Sequence, residues 1–234
     1  MLQKHNILHD LPKRYLWCSA LAAAGLLLAG NPSWARSARS PELPVLFQES
    51  VPIPVDPANT TGGLFSFDIS FVDQKTQRYY LADRSNEAID VVNAKTDTFV
   101  KQISASPAFA GASPGGAELS GPNGVLTANG CIIATDAGNR VVSFTAGGTQ
   151  VTDLHITKDV GRADELAFDP KDNLLLVITP VPNGSSNPPS PFGALISVSK
   201  TGCVLTLGKT IPFPFATNGA EQPVWDPGTQ RFFV

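Results

Sequence analysis

Short apolar runs separated by polar turns follow one another from Leu64 to the end of the chain at Val234. This pattern predicts groups of four β-strands, because each run has strand length and is bounded by Gly, Pro, Asn or Asp. The predicted strands are 65–72, 78–82, 88–93 and one from about 98; 124–127, 131–135, 140–144 and 150–156; and 166–168, 174–178, 194–198 and 203–207. A further group begins at Pro223 and ends within its second strand.

A ten-residue segment occurs twice, as Val72-Asp-Gln-Lys-Thr-Gln-Arg-Tyr-Tyr-Leu81 and as Trp225-Asp-Pro-Gly-Thr-Gln-Arg-Phe-Phe-Val234. Related groups lie between the two copies, so that one unit takes about 50 residues, a spacing close to that of propeller blades. We therefore predict an all-β fold, a β-propeller of four-stranded antiparallel blades with about three and a half blades present. The blades are placed at 64–110, 120–160, 163–212 and, in part, 220–234.

Closed propellers have about four to eight blades. A fragment of a longer propeller is therefore expected, and closure by self-association is the alternative.

The N-terminus has the pattern of an export signal. Lys13 and Arg14 precede the apolar stretch 16–29, and Ser33-Trp-Ala35 has the small residues that signal peptidase prefers. We interpret residues 1–35 as a signal peptide and predict a secreted or periplasmic protein without a transmembrane span after cleavage. A membrane anchor is the alternative, although the apolar stretch is shorter than the roughly 20 residues that span a bilayer. Residues 36–63, rich in proline, are predicted to form an extended lead-in segment.

Charge argues against one class of partner. The whole chain has 17 basic and 20 acidic residues, and loss of residues 1–35 would remove Lys4, Lys13, Arg14 and Asp10, leaving 14 and 19. Nucleic acid is therefore not an expected partner, because phosphate binding needs a basic face.

Cys131 and Cys203 are the cysteines that remain after cleavage. Export would permit a disulfide between them. Two buried thiols that act as small apolar fillers are the alternative.

Six segments are similar to motifs of a known family. They are Asp68-Ile-Ser-Phe-Val-Asp73, Tyr79-Tyr-Leu-Ala-Asp-Arg-Ser-Asn86, Ile89-Asp-Val-Val-Asn93, Gly121-Pro-Asn-Gly-Val125, Arg162-Ala-Asp-Glu-Leu-Ala-Phe-Asp-Pro170 and Glu221-Gln-Pro-Val-Trp-Asp-Pro227. These segments resemble the exported bacterial propellers of the YVTN-repeat and NHL-like group. The resemblance covers about 64–234 and implies the propeller fold. It does not imply one activity, since propellers support both binding and catalysis.

Polar residues before the first strand and between the second and third strands of each blade are expected at one mouth of the central channel. These candidate ligand-binding residues are Asp68, Asp83, Arg84, Asn123, Asp136, Asn139, Arg162, Asp164, Glu165, Glu221 and Gln222. The alternative for each is a turn residue that bonds to its own backbone. Asp83 and Asp136 hold equivalent places in the repeat, which favours shared turns there. Asn123, Glu165 and Glu221 differ between blades, which favours a site.

Function is predicted as a binding protein for an unknown small molecule, polymer or protein. The alternative is a metal-dependent lactonase, since Gly121-Pro-Asn-Gly124 is similar to the loop that supplies an Asn ligand in gluconolactonase-type propellers. That resemblance implies Ca²⁺ or another divalent cation, with Asn123, Glu165 and Glu221 as ligands. His155, the one histidine after residue 35, leaves no basis for a Ser-His-Asp triad or a His-rich zinc site.

Overall fold

The computed structural model describes residues 49–158, 161–183 and 189–234. Each of the first three sheets has four antiparallel strands in sequential order, and a two-stranded sheet follows. The strands are β1 (Ser70–Asp73), β2 (Arg78–Asp83), β3 (Ala88–Asn93) and β4 (Thr98–Ser104); β5 (Val125–Ala128), β6 (Cys131–Asp136), β7 (Arg140–Thr145) and β8 (Gln150–His155); β9 (Leu166–Asp169), β10 (Leu174–Asn183), β11 (Ser190–Val198) and β12 (Leu205–Pro212); and β13 (Val224–Asp226) and β14 (Arg231–Phe233). The predicted all-β fold of incomplete four-stranded blades is confirmed.

The repeated ten-residue segment forms the turn between the first and second strands. Asp73 Oδ1 accepts hydrogen bonds from the N–H groups of Lys75 and Thr76 at 2.9 and 3.3 Å. In the second copy, Asp226 accepts from the N–H groups of Gly228 and Thr229 at 2.9 and 3.1 Å. The repeat is therefore explained by a turn in which an Asp side chain satisfies the backbone donors that the chain reversal leaves free.

The same turn ends in a left-handed residue directly before the second strand. Gln77 and Gln230 have φ values of 53° and 55°, and Asn173 has 57° at the equivalent place in the third sheet.

The first strands of successive sheets are neighbours, β1 with β5, β5 with β9 and β9 with β13. Sheets that meet along their first strands in this way surround a common axis, as propeller blades do.

Apolar residues between adjacent sheets form the core. One cluster joins the first and second sheets through side chains such as Ile89, Ile132 and Phe144. The other joins the second and third sheets through Ile133, Leu175 and Phe192. The second sheet is therefore packed on both faces, which explains why its second and third strands, β6 and β7, are almost continuously buried.

Cys131 and Cys203 form a disulfide. Cys131 begins β6, and Cys203 precedes β12, so that the bond joins the second sheet to the third. Both residues are buried, with 1% and 5% of their surface exposed. Between the alternatives left open by the sequence, the structure has the disulfide.

Residues 49–63 contain no strand and contact the first sheet. Asp56 N–H and Asn59 Nδ2 both donate to Asn86 Oδ1 at 3.0 Å, and Gln102 Nε2 donates to the Pro54 carbonyl at 3.1 Å. The predicted signal peptide and residues 36–48 of the lead-in segment lie outside the described residues. Within the described part of the chain, no helix has the length and apolar character of a membrane span.

Two strands of the third sheet are longer than predicted. β10 continues to Asn183 and β11 begins at Ser190, and these two residues pair across the hairpin. Pro182 and Pro191 are poor strand formers in the sequence pattern, which is why the sequence placed the strand ends at 178 and 194.

Candidate functional site

Three predicted site residues hold equivalent places in successive sheets. Their N–H groups donate to carbonyl groups of the second strand, Asp68 to Ala82 (2.9 Å), Asn123 to Thr135 (2.8 Å) and Asp164 to Ile178 (2.9 Å). The next residue of each segment accepts a hydrogen bond from that same second-strand residue. This backbone pairing continues each blade past β1, β5 and β9 and brings the polar side chains to one end of the three inner strands.

Arg84 lies between the first and second sheets. Its Nη2 pairs with the Asp68 carboxylate and donates to Asn123 Oδ1 at 2.5 Å. Asn123 is fully buried, and its Nδ2 donates to the Ala163 carbonyl at 2.9 Å. The Asn123 amide therefore connects the first, second and third sheets.

Arg162 binds the carboxylates of the third sheet and its neighbours. Its Nη2 lies 2.7 Å from Asp164 Oδ2 and 3.8 Å from Glu221 Oε1, and its Nη1 lies 2.8 Å from Glu118 Oε1. Glu118 belongs to a short 3-10 helix, Ala117–Leu119, and was not among the predicted site residues. The signal that could have identified it is its place in the loop directly before Asn123.

A cavity of about 200 Å³ lies where the inner strands of all four sheets converge. It is lined by Ile69, Val125, Glu165, Leu166, Gln222 and Pro223. Four of these side chains are apolar, and the polar ones are a carboxyl group and an amide. The two polar residues were among the predicted site residues, whereas the four apolar ones, which lie within predicted strands or at the start of one, were not.

Among the described residues near this cavity, carboxylates outnumber guanidinium groups. The carboxylates are those of Asp68, Glu118, Asp164, Glu165 and Glu221, and the guanidinium groups are those of Arg84 and Arg162. Burial raises the pKa of Asp68 and of Glu118, although Arg84 and Arg162 respectively oppose that rise. For Glu165, burial and then the charges of Asp164, Glu221 and Asp68 raise the pKa from 4.5 to about 7. The group therefore carries excess negative charge, and Glu165 holds a proton up to neutral pH.

Asp83, Asp136 and Asn139 bond within the scaffold instead of joining this cluster. Asp83 Oδ1 accepts from the N–H groups of Ser85 and Asn86, and Asn139 Oδ1 accepts from the Thr179 hydroxyl at 3.1 Å. These contacts are those of turn and packing residues.

Asp136 accepts from the Ala110 N–H and pairs with Arg140, which also binds Asp153 and lies over the Phe109 ring. Burial raises the pKa of Asp136. This network fixes the loop before the second sheet to that sheet.

Two of the three proposed cation ligands have arginine partners in this arrangement. Asn123 Oδ1 faces the guanidinium of Arg84, and Glu221 faces that of Arg162. A divalent cation held by those two oxygens would lie next to both guanidinium groups, which would repel it. Within residues 49–158, 161–183 and 189–234, no group of three or more His, Cys, Asp or Glu side chains is placed to hold a metal ion.

Two further concave regions lie between the third sheet and the β13–β14 hairpin. They have volumes of about 490 and 320 Å³, and both include Phe213, Phe232 and Val234 in their walls. Their linings are mainly apolar, and the charged side chains that they include are Glu221 in one and Arg231 in the other.

No protein-family model and no curated protein matches the chain. Among solved structures, 261 chains match. One of them is described as "Crystal Structure of Mitotic Checkpoint Complex", with a TM-score of 0.50 and 9% sequence identity. The match covers 71% of this chain and 46% of the other, so that this chain spans about half the length of that neighbour. Together with the sheet topology, this similarity identifies the chain as a β-propeller protein.

Proposed function

We propose that this chain belongs to an exported propeller protein that binds a small organic ligand at the mouth of its central channel. The observation that carries the proposal is the cavity of about 200 Å³ lined from all four sheets. Ligand sites commonly combine apolar walls with a few convergent polar groups. Here Glu165 and Gln222 are those polar groups.

Export is supported by the N-terminal pattern and by the Cys131–Cys203 disulfide. Disulfides persist in oxidising compartments such as the periplasm and are rare in the cytosol. The motifs of residues 68–93, 121–125 and 162–170 support membership of the YVTN-repeat and NHL-like group.

A protein partner is the other kind of occupant that a propeller face accepts, and the similar solved structure is titled as a complex. The cavity favours a small ligand over such a partner, since its volume is about 200 Å³.

A ligand screen by thermal unfolding tests the proposal with a matched pair of variants. Gln222 and Gln230 are both exposed and both have a φ of 55°, but only Gln222 lines the cavity. Gln222→Trp should fill the cavity, whereas Gln230→Trp adds the same ring elsewhere.

The screen uses small cationic, neutral and anionic organic compounds. The proposal predicts compounds that raise the melting temperature of the wild type and of Gln230→Trp but not of Gln222→Trp. Compounds that stabilise all three proteins equally, or a panel without any stabilising compound, would contradict it.

A further inference from the structure

Glu165 breaks the pseudo-symmetry of the blades. Its carbonyl accepts a hydrogen bond from Ile178, as the carbonyls of Ile69 and Gly124 accept from Ala82 and Thr135 in the other sheets. The three positions are therefore structurally equivalent. The first sheet has the aliphatic side chain of Ile69 at this position, and the second sheet has Gly124, which has no side chain. Of these three sheets, only the third has a carboxyl group there.

The Glu165 carboxyl also differs from its acidic neighbours in making no salt bridge among the described residues. Asp68 pairs with Arg84, whereas Glu118, Asp164 and Glu221 face Arg162. Within the described part of the chain, the side chain of Glu165 has neither a hydrogen bond nor a salt bridge, yet it lines the cavity.

The rest of the cavity lining is mainly aliphatic. Ile69, Val125, Leu166 and Pro223 surround the space, and the Gln222 amide is the other polar group. A ligand that fits such a lining has an apolar body and one positively charged hydrogen-bond donor. An anion is disfavoured, because Asp68, Asp164 and Glu221 act on Glu165 with the same negative sign.

We propose that the cavity binds a small aliphatic ammonium ion, with the Glu165 carboxylate as its counter-ion and the Ile69, Val125 and Leu166 side chains around its carbon chain. This inference rests on the proposed ligand-binding function and names the class of ligand. Binding forms no covalent bond. Where Glu165 begins protonated, binding of the ammonium ion releases that proton to solvent.

A pH dependence follows from the groups that face Glu165. Asp164, Glu221 and Asp68 favour its protonated form, Arg162 opposes them, and the pKa is about 7. The ionised fraction of Glu165 in the free protein therefore rises about tenfold between pH 6 and pH 8, and the apparent affinity for an ammonium ion should rise by a similar factor. At pH 6, calorimetry in buffers of different ionisation enthalpy should detect release of close to one proton.

The test is calorimetric titration with n-butylammonium chloride, using n-butanol and sodium butyrate as neutral and anionic probes of similar size. Glu165→Gln keeps the shape of the side chain and removes its charge, and should weaken n-butylammonium binding by about tenfold or more. Glu49→Gln is the matched control, since Glu49 is exposed and does not line the cavity. It should bind as the wild type does.

The proposal is overturned if Glu165→Gln, shown to be folded by its melting temperature, binds n-butylammonium as well as the wild type does. Absence of binding by the wild type, or equal binding of n-butanol or butyrate, also overturns it. The two proposals can fail separately. If only the ammonium ligand is wrong, neutral or anionic compounds would still distinguish Gln222→Trp from Gln230→Trp in the thermal screen.

Discussion

Breaking the Cys131–Cys203 disulfide should lower the stability of the whole chain, because the bond closes a long loop between two blades. The cysteines are separated by 72 residues. In the chain-entropy description, a crosslink of this span removes conformational freedom from the unfolded chain worth about 4 kcal/mol at 25 °C. Reduction should therefore decrease the free energy of unfolding by about 4 kcal/mol.

Urea unfolding of the oxidised and reduced wild-type protein measures this difference directly, because the two forms have the same side chains. The Cys131→Ala/Cys203→Ala double variant should be at least as unstable as the reduced protein, since it also loses buried sulfur atoms. Mass spectrometry after alkylation establishes the redox state of each sample. Equal free energies of unfolding for the oxidised and reduced forms would refute the reasoning.

Three further predictions concern the scaffold around the site. Gly121→Ala should destabilise the protein by about 1 to 3 kcal/mol, because a Cβ there would collide with the Asp136 carboxylate. Gly63→Ala, with open space at its Cβ, should leave the melting temperature unchanged. An equal loss of stability in both variants would contradict the packing argument. Arg162→Gln should lower the free energy of unfolding in urea by about 3 kcal/mol, since it leaves the buried Asp164 carboxylate without its partner. Unchanged stability would show instead that Asp164 is hydrated. Asp90 is buried, and burial and the Asp83 charge raise its pKa from 3.8 to about 7. The folded protein therefore retains a proton on Asp90 that the unfolded chain loses above about pH 4, so that this group makes stability fall as pH rises towards 7. The melting temperature of Asp90→Asn should accordingly exceed that of the wild type by more at pH 7.5 than at pH 5, and a constant difference would argue against this titration.

Much of the fold could be predicted from local pattern. In the Asp73 and Asp226 turns, the Asp side chain accepts hydrogen bonds from the next few residues. A short stretch of sequence therefore determines the geometry of these turns. The pairing of Cys131 with Cys203 could not be predicted in this way. It depends on how the second and third sheets pack, and the contact joins residues that are far apart in the chain.

The candidate site shows the same division. Topology alone indicated that Asp68, Asn123 and Asp164 occupy equivalent starts of inner strands, because the blades repeat. Topology could not indicate that Arg84 would donate a hydrogen bond to the amide oxygen of Asn123. Long side chains can reach partners on several loops. Glu118, which pairs with Arg162, lies in a loop that is not part of the repeat, so that the repeat does not predict its position.

NMR of isotope-labelled protein during titration with n-butylammonium chloride shows whether the cavity binds an ammonium ion. We expect saturable shifts of the backbone amides of Ile69, Val125, Leu166 and Gln222, which come from four different sheets and line the same cavity. These shifts should be absent in Glu165→Gln and present in Glu49→Gln. Shifts confined to the apolar region around Phe213 and Phe232, or no shifts at all, would show that the cavity does not bind this ion.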